Sequence, residues 1–351
     1  MPSKKRRPLS WLLLIFCTLP FLTLQQQRAQ AATPLAADLV RDNQAINFRQ
    51  QKFTDFFVEL QDKHHFNGTE LRAIFTGLTI DRRVLVLMDR QGEAKPYYEY
   101  FPMFITNAII QTGRTKLEEE RHLLDQIESR FGVDREVVVA IWGIETRYGT
   151  NQGSYDVLRT LTTLFDAYPR RAQFFRQELI HFLLLCRENG INPRQVKGSY
   201  AGAFGQTQFM PSSFRRYAVS FDGDRKRDVW NSTADVLASI ANYLKHFGWV
   251  LDAPVYAELG TALNSQQLLA TEQKGRRGRI AASEVERAQQ LRLAPVPGNK
   301  GLSIVGLELP PGTAAEKRYI AGYPNFQAIT EWNHSNRYAM AVTELAEALA
   351  R

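Results

Sequence analysis

From residue 38 to about residue 251, apolar side chains recur every three to four positions in successive runs separated by short polar breaks. That period predicts a series of amphipathic helices and a mainly α domain. The runs Leu39 to Leu60, Lys116 to Phe131, Asp134 to Tyr148, Arg171 to Asn189 and Thr233 to Phe247 read as helices. Gln91 to Pro102, with Gly92, Pro96 and three tyrosines, reads as a connector. Between Leu251 and Pro311 the period changes: Gly275-Arg276-Arg277-Gly278-Arg279 reads as an exposed loop, and Gly301 to Leu309 alternates as a strand does. Helical periodicity resumes at Phe326. The chain is therefore expected to be mainly α (α+β): a leader over 1–31, a helical lobe over 32–113, a core over 114–250, a small β-containing insertion over 251–315, and a C-terminal helical segment over 316–351 that packs back on the core.

One apolar run has no helical stripe. Lys4, Lys5, Arg6 and Arg7 precede Leu9 to Leu24, which Pro20 interrupts and the A-x-A pair Ala29 and Ala31 follows. This order predicts a secretory signal peptide cut after Ala31, with an uncleaved signal anchor as the alternative. Cys17 is not expected to be lipidated, because Leu14-Ile15-Phe16 before it lacks small residues. The leader changes the charge picture. The whole chain carries +8, but Lys4, Lys5, Arg6, Arg7 and Arg28 supply five of those charges with no acid among them, so +3 remains after cleavage. That modest balance gives nucleic acid no special support. Cys186 would then be the only cysteine, which excludes an intramolecular disulfide, and its apolar neighbours Phe175, Leu179 and Phe182 at helical spacing predict a buried, inert thiol.

The most informative segment is Asp134 to Gly149. Asp134 is a candidate N-cap and Gly149 a candidate C′ residue, while Val137, Ile141 and Ile144 form a buried stripe. Glu145 follows Ile141 by four positions, so its carboxyl lies beside that stripe and in the last helical turn. Partial burial and the macrodipole both raise a carboxyl pKa toward the range of a general acid. An ion pair with Arg147 is the structural alternative, and spacing alone does not choose between them.

Glu145-Thr146-Arg147-Tyr148-Gly149 and the block from Gly198 to Phe214 resemble the lytic murein transglycosylase B family. The resemblance continues through Phe221-Asp222-Gly223-Asp224, Asp228-Val229-Trp230-Asn231, Ala241-Asn242-Tyr243-Leu244 and Phe247-Gly248-Trp249. It resumes at Gly322-Tyr323-Pro324-Asn325-Phe326 and again from Trp332 to Val342. It implies a lysozyme-like catalytic core that binds peptidoglycan, with Glu145 as single acid and base and a 1,6-anhydro product. Ser199, Gln208, Phe209 and Met210 are then expected to line sugar subsites, and the Tyr243 hydroxyl to reach the catalytic region. Arg170 and Arg171, unfavourable cations at a helix start, are expected to meet anionic lactyl or peptide groups. Trp332, Asn333 and Tyr338 are expected to fold back on the cleft, Trp332 as a sugar platform where relatives often have Tyr.

The stretch from Asp222 to Asp228 resembles part of an EF-hand loop. Asp222, Asp224, the Lys226 carbonyl and Asp235 would be the ligands of a structural calcium, with Ser220 at the opening position. Arg225, Lys226 and Arg227 weaken that expectation, and Ser232 with Asp235 fits a helix capping box equally well. The expectation is thus a periplasmic enzyme that needs no cofactor and acts on peptidoglycan glycan strands. The alternatives are a hydrolytic muramidase, for which Asp156 or Asp166 would be the second carboxylate, and a silent peptidoglycan-binding protein. Cell-wall synthesis or division proteins among its partners are not legible in the sequence.

Overall fold

The computed structural model describes residues 35–90 and 95–351; the expected leader over 1–31 and residues 91–94 of the connector lie outside them. The N-terminal lobe consists of α1 (Gln51–Asp62), α2 (Gly68–Phe75), α3 (Arg82–Arg90) and the single turn α4 (Tyr97–Tyr100). Helix α1 begins twelve positions later than its apolar pattern suggested. Leu39 closes a short 3₁₀ turn (Ala36–Leu39), and Ala45 then bridges to Thr79 in extended geometry, which holds residues 40–50 out of a helix.

The core follows as α5 (Asn107–Glu119), α6 (Arg121–Phe131), α7 (Arg135–Thr146), β1 (Tyr155–Asp156), α8 (Val157–Ala167), α9 (Ala172–Glu188), β2 (Lys197–Gly198), α10 (Pro211–Tyr217) and α11 (Thr233–His246). The run Lys116 to Phe131 is two helices and not one. Glu120 leaves the helical well at ψ 14°, and the break lets α5 pack on α15 (Asn336–Ala350) while α6 packs on α11.

Helix α7 is buried at every position from Val137 to Ile144, not only along the expected stripe. A helix that is apolar all round belongs inside a core, and α7 sits among α5, α6, α11 and α15. Both ends differ from the sequence expectation. Asp134 stands at the N-cap position, but its carboxylate accepts from Trp249 Nε1 at 2.6 Å and from the Asp252 amide, not from the helix. The left-handed closing residue is Arg147 (φ 49°), two positions before Gly149, because the helix must end at Thr146 for Tyr148 to turn back and pack its ring edge-on against Trp142.

Beyond α11 come β3 (Tyr256–Gly260), α12 (Gln266–Gln273), α13 (Ala282–Gln289), β4 (Ser303–Glu308), β5 (Lys317–Gly322) and α14 (Pro324–Asn333) before α15. The three strands form an antiparallel sheet in the order β3-β5-β4, with Val305 opposite Ile320 and Tyr256 opposite Gly322. Because side chains alternate along a strand, the sheet serves two cores. Val305, Leu307 and Ile320 join the main core, while Ile304 and Ala321 join a smaller cluster with Leu268, Ile280 and Val285. The expected loop at Gly275 is a 3₁₀ turn (Gly275–Arg277) held by an Arg276 to Glu331 ion pair at 2.5 Å. Residues Leu35–Arg351 form one unit. Cys186 is buried as expected, and desolvation pushes its thiol up to about 12.

Candidate functional site

Glu145 sits in the last turn of α7. It forms no ion pair with Arg147 or any other cation among the described residues. Instead two donors converge on one of its oxygens: Tyr338 Oη donates to Oε1 at 2.6 Å, and Trp332 Nε1 donates to the same atom at 2.8 Å. No donor among the described residues reaches Oε2. Burial pushes the Glu145 carboxyl up to about 7 from an ordinary 4.5; the two hydrogen bonds, which favour the charged form, only moderate that rise. The same burial, with the Glu145 charge beside it, raises the Tyr338 phenol far above its ordinary value, so it remains a donor.

The donors are delivered by the C-terminal pair of helices. Ser335 caps α15 by accepting from the Tyr338 amide at 3.2 Å, and this fixes the first turn that carries Tyr338. Trp332 lies at the end of α14, where the Tyr243 hydroxyl donates to the Glu331 carbonyl at 2.7 Å. The Tyr243 hydroxyl therefore holds the neighbour of Trp332 and does not itself reach Glu145. The rings of Phe209, Tyr243 and Trp332 form a cluster with centroids 4.7 to 5.9 Å apart, which desolvates this end of the site.

A cavity of about 530 Å³ opens on this cluster, lined by Arg171, Met210, Tyr243, Trp332 and Asn333 among others. Five residues singled out in the sequence thus share one wall. Arg171 lies 4.2 Å over the Phe174 ring, so its cationic cost at a helix start is offset by an aromatic face. Arg170 is exposed and does not line the cavity. The polar groups of Ser199 and Gln208 serve their own loop. Ser199 Oγ accepts from the amides of Ala201 and Ala203, and Gln208 Nε2 donates to the carbonyls of Gly205 and Gln152. Trp332 lines the cavity as a platform would, but its indole N–H is committed to Glu145.

Three residues were missed by sequence reasoning. Tyr100 stands close enough to Glu145 that, after burial, the Glu145 charge is what lifts its phenol to about 12; the connector reading noted its tyrosine cluster and saw no site in it. Gln206 accepts from Trp142 Nε1 at 2.8 Å and donates to the Trp230 carbonyl, fixing α7 to the loop below it. Glu178, buried in the cavity wall, accepts from the Ser212 amide and hydroxyl at the start of α10.

The two carboxylates a hydrolase could recruit are committed elsewhere. Asp156 caps α8 through the Arg159 amide, and Asp166 pairs with Lys52 at 2.5 Å. The EF-hand-like loop is closed by its own amides. Asp235 accepts from the Phe221 and Asp228 amides on its two oxygens, Asp222 accepts from Ser232 Oγ and the Asp224 amide, and Asp224 accepts from the Lys226 amide. Among the described residues no three His, Cys, Asp or Glu side chains converge on a point. The capping arrangement of Ser232 with the Asp235 amide, expected beside the calcium reading, is observed.

The transglycosylase SLT domain family model matches residues 49–347. The chain is 35% identical over 316 residues to membrane-bound lytic murein transglycosylase B of Escherichia coli (strain K12), covering 87% of this chain and 84% of that protein. Soluble lytic transglycosylase SltB1 from Pseudomonas aeruginosa superposes with a TM-score of 0.77 at 36% identity over 86% of this chain and 99% of that one. The Escherichia coli lytic transglycosylase SLT35 in complex with bulgecin A gives 0.76 at 34% identity, over 88% and 96%, and has also been solved in complex with calcium. The mainly α fold with small antiparallel sheets is the lysozyme-like architecture that the sequence resemblance implied.

Proposed function

As the chain belongs to the transglycosylase SLT domain family and is a peptidoglycan lytic transglycosylase, we propose that Glu145 alone supplies both its acid and its base. The observation that carries this is the asymmetry of the carboxyl: two donors occupy Oε1, so a proton on Glu145 resides on Oε2, the oxygen without a partner. At a pKa of about 7 the group is populated in both protonation states near neutral pH, as a residue that first gives and then takes a proton requires.

In the first step Oε2 protonates the glycosidic oxygen between N-acetylmuramic acid and N-acetylglucosamine, and the C1–O bond breaks. The substrate's own N-acetyl carbonyl meets the positive charge at C1, so no second carboxylate is needed. Glu145, now a carboxylate, takes the proton of the C6 hydroxyl as that oxygen attacks C1 and closes the 1,6-anhydro ring. Tyr338 and Trp332 stabilise the carboxylate between the two steps. Arg171, Asn333 and Met210 hold the glycan in the cavity.

Lytic transglycosylases require no cofactor, and an ion held by the loop from Asp222 to Asp228 would be structural and not catalytic. Export by the 1–31 leader and cleavage after Ala31 would deliver the enzyme to the periplasm, where its substrate lies. No helix among the described residues is long and apolar enough to cross a membrane. Digestion of purified sacculi followed by mass spectrometry of the muropeptides tests the proposal. Products lighter than the hydrolytic ones by one water are expected; reducing-end products would instead make the protein a muramidase, and intact sacculi a silent binder.

A further inference from the structure

A second cavity, of about 660 Å³, shares no lining residue with the one that opens on Tyr243 and Trp332. The end of α9 at Glu188 and Asn189, the approach to β2 through Gln195 and Lys197, and the 225–231 loop form its walls. Its charge is lopsided. Lys197, Arg225, Lys226 and Arg227 line it against two acids, Glu188 and Asp228, and both acids are already engaged. Glu188 pairs with Arg215 at 2.7 Å and Arg227 at 3.9 Å, while Asp228 accepts from the backbone and side-chain amides of Asn231 and the amide of Trp230. Lys197, Arg225 and Lys226 have no acidic partner among the described residues.

Trp230 adds a flat apolar surface to this positive field. Its ring is half-buried and stacks on Phe204 at 5.3 Å and 10°, which rigidly backs one face. Its carbonyl is fixed by Gln206 Nε2 at 2.9 Å and Gln152 Nε2 at 3.3 Å. A backed indole, neighbouring amides and unpaired cations in a concave site of this size suit a carbohydrate that carries carboxylates. A membrane surface fits less well, since none of the large exposed apolar side chains lines the cavity. We propose that it is a second, non-catalytic site that holds a sugar-peptide segment of peptidoglycan through its carboxylates and keeps the enzyme on the wall between cuts. This rests on peptidoglycan being the substrate and not on the role of Glu145.

The test uses the full chain carrying Glu145→Gln, so that the wall is not consumed, with and without Lys197→Gln and Arg225→Gln. Co-sedimentation with purified sacculi at low salt should weaken about tenfold when both cations are removed, and the salt dependence should flatten. In the chain with Glu145 intact, the same pair should leave turnover of a short soluble glycan unchanged. Trp230→Leu, with the charges in place and the far-UV spectrum retained, should also weaken sedimentation. Unchanged sacculus binding would overturn the proposal. So would an equal loss of soluble-glycan turnover, or a loss confined to binding of anionic phospholipid vesicles. Residual cleavage by Glu145→Gln would sink the single-acid mechanism and leave this site standing.

Discussion

Tyr338 Oη donates to Glu145 Oε1 at 2.6 Å across 193 residues of chain. Since Trp332 occupies the same oxygen, the aromatic pair does more than position the carboxyl. It decides which oxygen carries the proton, and it holds the pKa below the value that burial alone would impose.

Activity should follow that balance. The protonated acid is needed first, so kcat/KM is expected to fall as pH rises through about 7. Tyr338→Phe removes a donor to the charged form and raises the carboxyl further, moving this limb to higher pH by on the order of one unit while lowering kcat. A pH–rate profile of the two proteins checks the direction; a shift to lower pH would contradict the assignment.

The same carboxyl should make the fold pH-dependent. Its folded pKa lies above its unfolded one, about 7 against 4.5, so its stabilising contribution is complete below 4.5 and is lost as pH rises through about 7. Glu145→Gln keeps an acceptor for both donors and has no charge to bury. The variant is expected to match the wild type near pH 4.5 and to exceed it by about 3 kcal/mol at pH 8, with cleavage abolished. Urea unfolding at the two pH values measures the gap.

Gln206→Leu should destabilise by about 1–3 kcal/mol, because the Trp142 indole N–H is left buried without a partner. Thermal unfolding reads the loss, and Trp142 fluorescence should shift with it.

Two glycines should respond differently to alanine. At Gly153 (φ 88°) a Cβ would lie 2.2 Å from the Gly198 carbonyl oxygen, so the strand leading into Ser199 must move. Activity and stability should both fall. Gly190 (φ 65°) has nothing within 4 Å, and its alanine variant should cost only the left-handed strain, about 1–2 kcal/mol, with activity intact.

Local patterns carried much of this far. The helical period and the position of Glu145 beside Ile141 were enough to place its carboxyl in a buried last turn. The partners of that carboxyl were invisible locally: Tyr338 and Trp332 reach it because the C-terminal helices pack back on α7. Tyr100 was hidden for the same reason, in a stretch whose Gly and Pro read as a connector. Asp222-Gly223-Asp224 reads two ways because the acids that ligate a cation are also those that close a loop on its own amides, and sequence does not tell which donor arrives. Strand β5 begins Lys317-Arg318, two charges that mask its alternation, and its pairing with both β3 and β4 is a long-range fact.

The two donors to the Glu145 carboxyl come from α14 and α15, long after Glu145 in the order of synthesis. A chain interrupted anywhere between residues 145 and 332 has the carboxyl but neither donor. The hydrogen-bonded state of the carboxyl is therefore a property of the finished chain, acquired only when its last two helices have been made and packed.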